Sequence, residues 1–196
     1  MNIKENRASK PVMVNVSNRH IHLCAADAET LFGVGHQLLN IKNLMQPGEF
    51  ACKETVSIVG KRGQIDSVRI LGPLRTITQV EISQTDARKI AVSAPVRPSG
   101  VTSNSAPIKI VGPVGTVELK EGCIVAQRHL HMTVADAAFY GIANGELISV
   151  SCSGERGLIF QNIIARVSDA MTLECHLDTD EANAAGLKNG ALVTIL

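Results

Sequence analysis

Two short runs, VSNRHIHL at residues 16–23 and VAQRHLHM at 125–132, repeat an Arg-His-x-His sequence within one chain. In an extended strand, residues two apart project to the same side. His20 and His22 therefore face one way together, and so do His129 and His131. Neutral imidazole is a good ligand for zinc and similar ions. A catalytic zinc commonly takes three protein ligands and leaves one position open. A single His-x-His pair is as readily a packed or surface feature. Two copies in the same local context point to metal chemistry, and each then needs a third ligand.

The repeat extends past the histidines. NRHIHLCAADAETLFG (18–33) and QRHLHMTVADAAFYG (127–141) both run from Arg and His-x-His through Ala-Asp-Ala to an aromatic residue and Gly. The Gly is the expected stop of a short helix, and Thr133 is placed to cap the second one. Further on, VEISQTDA (80–87) aligns with CHLDTDEA (175–182), which sets Glu81 opposite His176. Glu81 would complete His20 and His22; His176 would complete His129 and His131. His36 has no counterpart in the repeat and reads as surface or structural. Cys175 neighbours His176, so strand alternation turns it the other way; it and Cys24 read as ordinary small residues. Arg75, on the turn into the Glu81 strand, has the planar fork that binds carboxylate or phosphate bidentately, and is equally readable as a solvated turn residue. Arg19 and Arg128 face away from the histidines, where a structural salt bridge is the ready alternative to ligand contact.

Short alternating Val/Ile runs separated by Gly, Pro and charged turns must position these residues. The fold expected is mainly β with short α-helices, as two small β-barrel domains related by an internal pseudo-two-fold repeat. The domains expected are 19–105 and 106–196, the second completed by an N-terminal strand at 11–18. SAPVRPSGVTSNSAP (93–107) reads as a linker or an ordered crossover loop.

Among 196 residues, 45% are hydrophobic, so a core is available; with no Trp, one Tyr and four Phe it must be built from aliphatic side chains. The net charge of +1 and the lack of a strongly basic segment argue against duplex nucleic acid as a partner. No apolar run is long enough for a membrane helix, and MNIKENRASKP (1–11) lacks the apolar middle of a secretion signal. Five cysteines without a CxxC read as reduced thiols in a cytosolic protein.

The segments VSNRHIHL, LMQPGEFA, VRILGPLRTITQVEISQTDA, APVRPSG and RHLHM occur in one order along the chain. Together they resemble the PduL-type phosphotransacylases, the phosphate propanoyltransferases of bacterial microcompartments, over nearly the whole length. The resemblance implies exchange of a short-chain acyl group between coenzyme A and phosphate, propanoyl first, in 1,2-propanediol-type catabolism. It implies two Zn2+ per chain, one on His20, His22 and Glu81 and one on His129, His131 and His176. It makes Arg75 the phosphate-binding and catalytic residue. Coenzyme A contacts carry over to Ser17, Asn18, Arg19, Lys42 and Asn183, each of which also reads as a turn or surface residue. The family implies a homodimer in the bacterial cytoplasm or inside a microcompartment, with shell proteins as partners. MNIKENRASKP has no apolar stripe, a departure from the amphipathic N-terminal helix that targets many members into the shell.

Rival readings are a phosphate acetyltransferase of ethanolamine-type catabolism, a cupin-like oxygenase or zinc hydrolase, and a non-enzymatic microcompartment protein stapled by metal. The cupin pattern wants a Glu four residues past His-x-His, where Ala26 stands. One methylene of acyl chain is worth only about 1–3 kcal/mol, which leaves no motif to read.

Overall fold

The computed structural model describes residues 6, 7 and 9–196; the rest of the MNIKENRASKP reading lies outside the described residues. In chain order the first elements are β1 (Val12–Ser17), β2 (His20–His22), α1 (Ala25–Phe32), β3 (Asn40–Asn43), β4 (Phe50–Val59), β5 (Gln64–Gly72), β6 (Gln79–Glu81), α2 (Gln84–Ile90) and β7 (Val96–Arg97). Then follow β8 (Ala106–Val111), β9 (Thr116–Ala126), β10 (His129–Met132), α3 (Val134–Tyr140), β11 (Leu147–Cys152), β12 (Leu158–Val167), β13 (Glu174–Asp178), α4 (Thr179–Ala185) and β14 (Leu192–Ile195). The protein is mainly β with short helices, and its strands close into two six-stranded barrels.

One unit comprises residues 18–44 and 48–126. Its barrel runs β4-β5-β2-β6-β9-β8, and β8 pairs with both β9 and β4 to close the ring; β3 and β7 extend it from β4 and β9. Alternation sends Ile58, Val68, Ile70, Val80, Ile108 and Ile110 into a dry interior. Each such side chain contributes on the order of 1.5–3 kcal/mol by leaving water. Helix α1 adds Ala28 and Leu31 to that core. The β8–β9 turn crosses the end of α1 so closely that a Cβ on Gly112 would stand 2.5 Å from the Leu31 carbonyl oxygen, and one on Gly115 2.4 Å from that of Thr30. Only glycine permits this approach.

The other unit comprises residues 1–17, 45–47 and 127–196. Its barrel runs β1-β13-β10-β12-β11-β14 and closes where β14 meets β1. Val14, Leu130, Met132, Val150, Ile163, Cys175 and Leu177 fill it. Tyr140 is fully buried and donates its hydroxyl to the Lys10 carbonyl at 2.8 Å. Thr133 caps α3 in a capping box with Asp136, and Gly141 ends the helix in the left-handed conformation.

The barrels share one strand plan. In each, the His-x-His strand lies between a parallel partner (β5 or β12) and an antiparallel partner (β6 or β13). The sixth position is filled crosswise. β1 runs into β2 along the chain but pairs with β13, while β9 runs into β10 but pairs with β6. This corrects the boundary at 105/106: residues 106–126 form β8 and β9 and belong with the first barrel, so the chain changes unit at 126/127. The segment 93–107 is the ordered crossover of the two readings, not a linker. β7 pairs with β9 inside the first unit, and the Val125 N–H donates to the Pro95 carbonyl at 3.0 Å.

Candidate metal centres

Strand β2 is three residues long and buries all three. Ile21 points into the core, so His20 and His22 share the opposite face. On β6, Glu81 lies directly across from His20 and Gln79 across from His22. This register brings donor atoms of His20, His22 and Glu81 within 4.8 Å of one another. His20 Nε2 lies 3.5 Å from Glu81 Oε2. His20 Nδ1 lies 2.8 Å from the Asn18 carbonyl oxygen, a contact that puts the proton on Nδ1 and leaves the Nε2 lone pair free. The other Glu81 oxygen, Oε1, accepts from Gln79 Nε2 and Ser99 Oγ, both at 2.6 Å.

The electrostatics follow from this crowding. Burial raises the pKa of Glu81, but the charge and hydrogen bond of His20, with His22 and Ser99, outweigh it and hold the carboxyl well below its usual range. Burial lowers that of His20, but the Glu81 charge outweighs it and the net direction is upward. Burial, then His20 and Arg75, push His22 down to about 3. The Leu71 carbonyl weakly favours protonated His22, yet His22 Nδ1 is buried without a hydrogen-bond partner in the protein. An unmade buried hydrogen bond costs about 1–3 kcal/mol, a cost that a bound ligand at this nitrogen would offset.

The second set is built the same way on β10 and β13. His129 lies across from His176 and His131 across from Glu174. The three imidazole centroids are 4.7–4.8 Å apart pairwise, and donor atoms of His129, His131 and His176 fall within 4.8 Å of one another. His129 Nδ1 is 2.8 Å from the Gln127 carbonyl oxygen, matching the His20–Asn18 contact. His131 Nδ1 is 3.2 Å from Met171 Sδ. Burial, then His129, His176 and Arg166, push His131 down to about 2. His22 and His131 therefore present neutral nitrogens, and imidazole nitrogen suits a divalent ion of borderline softness such as zinc.

Arg75 sits in the β5–β6 loop of the first unit. Its N–H donates to the Leu23 carbonyl at 2.8 Å, its Nη2 lies 2.9 Å from Glu49 Oε1, and its charge depresses both His20 and His22. The corresponding β12–β13 loop supplies Met171 instead. Arg19 pairs with Asp86 at 2.8 Å and Arg128 with Glu181 at 2.6 Å, each tying its strand to the helix behind the third ligand. Ser83 and Asp178 cap those helices. Asn18 and Lys42 are exposed in the first unit, and Asn183 is exposed in the second, with Ser17 half-buried at the end of β1. His36 pairs with Glu54 at 2.9 Å and stacks on Phe32.

Ser99, Gln79, Gln46 and Glu174 went unread in the sequence. For Gln79 and Glu174 a signal exists: each precedes the third ligand by two strand positions and so shares its face. Among the cysteines, burial pushes the Cys123 and Cys175 thiols up to about 12 and that of Cys52 to about 11, which disfavours thiolate at these three.

The family model described as phosphate propanoyltransferase matches residues 13–188. A phosphate propanoyltransferase of Salmonella typhimurium is 49% identical over 95% of this chain and 89% of its own length. One from Thermotoga maritima is 49% identical over 97% and 91%, and one from Lachnoclostridium phytofermentans 50% identical over 94% and 87%. A family match whose span includes both His-x-His strands and both third-ligand strands, with relatives 49–50% identical over most of the chain, places the chain in the phosphate propanoyltransferase family of acyltransferases.

Proposed function

We propose that this protein is a zinc-dependent phosphate propanoyltransferase that interconverts propanoyl-CoA and phosphate with propanoyl phosphate and CoA. It would hold two Zn2+ per chain and act as a homodimer in the bacterial cytoplasm or a microcompartment lumen, there beside shell proteins. The observation that carries this reading is the pair of three-donor sets, built at one register on two barrels of one strand plan. Bound zinc supplies Lewis acidity toward carbonyl or phosphate oxygen.

The remaining chemistry falls to the chain. Arg75 holds phosphate through two parallel N–H donors, exchanging its Glu49 partner for the anion. Glu81 stays anionic, and His20, His22, His129, His131 and His176 serve as nitrogen ligands. Lys42, Asn18, Arg19, Ser17 and Asn183 are assigned to coenzyme A. Phosphate oxygen attacks the thioester carbonyl, the carbon–sulfur bond breaks and the CoA thiolate leaves. The high pKa values of Cys52, Cys123 and Cys175 favour this direct route over an acyl-cysteine at those three residues. Metal analysis with CoA release measured across short acyl-CoA substrates in the presence of phosphate tests the proposal. Two zinc ions and metal-dependent release, fastest with propanoyl-CoA, are expected; metal without acyl exchange would reduce the ions to staples.

A further inference from the structure

Glu174 lies on the β13 face that carries His176, yet it stands outside the group of converging donors. Its exposure is 1%, the lowest of any acidic residue beside the two sets. A buried carboxylate is costly unless hydrogen bonds and a positive charge compensate it. Its Oε2 lies 2.7 Å from His176 Nε2 and accepts from Gln46 Nε2 at 2.8 Å, and the Asn15 side chain adds a further hydrogen bond. Gln46 is itself clamped: its Nε2 donates to the Thr172 carbonyl at 3.0 Å and its Oε1 accepts from the Thr172 N–H at 3.2 Å. The arrangement is a fixed chain from Gln46 through Glu174 to His176.

The same two lattice positions in the first barrel carry the opposite chemistry. There Gln79, two residues before the third ligand, donates to the carboxylate of Glu81. Here Glu174, two residues before the third ligand, accepts from the imidazole of His176. Each set thus has one carboxylate and two or three imidazoles, with the carboxylate in the ligand position in one barrel and behind it in the other.

We propose that Glu174 is a positioning residue for the second metal set. It accepts a hydrogen bond from the Nε2–H of His176, fixes the tautomer whose lone pair is on Nδ1, and gives the three imidazoles the single negative charge that Glu81 gives the first set. Carboxylates that orient a ligating imidazole in this way are worth about 10–100-fold in metal affinity. The inference rests on the reading of His176 as a ligand.

The test is Co2+ titration of the chelator-treated full chain, read by visible absorption and by metal content after gel filtration. Glu174→Gln keeps shape and loses the charge. It should bind one equivalent as the parent does and the other about 10–100-fold more weakly, with Glu174→Asp recovering part of the loss. Gln46→Ala, which frees the carboxylate without removing it, should weaken the same equivalent by less. His176→Ala should lose that equivalent altogether. Parent affinity in both Glu174→Gln and Gln46→Ala, beside a lost equivalent in His176→Ala, would overturn the inference and leave the ligand reading standing. Outright loss in Glu174→Gln, equal to His176→Ala, would make Glu174 a ligand and also overturn it. Two parent-like equivalents in His176→Ala would sink the ligand reading and the inference with it.

Discussion

His20 and Glu81 face each other across the β2–β6 ladder with Nε2 and Oε2 3.5 Å apart, and each moves the other's proton equilibrium in the direction that favours an ion pair. In the metal-free protein the pair satisfies itself; a divalent cation would replace the proton between them. Glu81→Gln removes the charge and keeps the shape. It should cost the first set its ion, lowering content toward one zinc per chain, while the second equivalent is unchanged. Metal analysis after dialysis against a weak chelator reads this directly.

Two zinc ions per chain are expected in the purified protein, and His22→Ala should lose one of them. The His22 ring carries the buried, unpartnered Nδ1, so it is the ligand with least else to do. Retention of both ions and full activity in His22→Ala would remove it from the first set.

Arg75→Ala should weaken phosphate use far more than CoA binding. Loss of a charge-assisted bidentate contact costs about 2–4 kcal/mol in the transition state. The effect is expected in phosphate kcat/KM, with the KM for CoA near the parent value. Because Glu49 holds the guanidinium at 2.9 Å, Glu49→Gln should alter phosphate affinity in the same assay.

Acid should destabilise the metal-free protein through His131. Its folded-state pKa is pushed from 6.5 down to about 2. Between those values the unfolded chain holds the proton and the folded chain does not, so stability is full above 6.5 and falls as pH drops below it. His22, pushed to about 3, acts in the same direction, and His20, shifted upward, opposes it. The thermal midpoint measured with chelator present should fall from pH 7 to pH 4, and less steeply in His131→Leu.

Thr133→Ala removes the side-chain half of the capping box on α3. The expected cost is about 1 kcal/mol, or roughly 2–4 °C in thermal midpoint for a chain of this size. Scanning calorimetry checks it.

Much of this was legible because strand alternation is a strict code. The spacing of His20 and His22 put them on one face, and the alignment of VEISQTDA with CHLDTDEA put Glu81 and His176 across from them. Ser83 and Asp178, aligned in that comparison, cap equivalent helices. The closure of the barrels was not legible. IKIVGPVGTVEL sits after a Ser/Pro/Gly stretch that resembles a linker, and nothing local tells β9 which β-sheet it will join. Ser99 and Gln46 were hidden for the same reason: each reaches its carboxylate through tertiary folding, Gln46 from 128 residues away in sequence.

The crosswise sixth strand also sets an order of events during synthesis. Residues 18–126 contain every strand of the first barrel, which can close as soon as they leave the ribosome. β1 emerges before all of them, yet Val14 pairs with Cys175 and Val12 with Val193. At 5–20 residues per second the last seventy residues take roughly 4–14 s. Throughout that interval Val12, Val14 and Val16 lack the ladder partners they have in the folded protein, and an apolar segment without partners is open to pairing with another copy. Exchange of that strand between two copies would leave every ladder intact, so crowded polysomes should yield interlocked dimers that dilution does not separate.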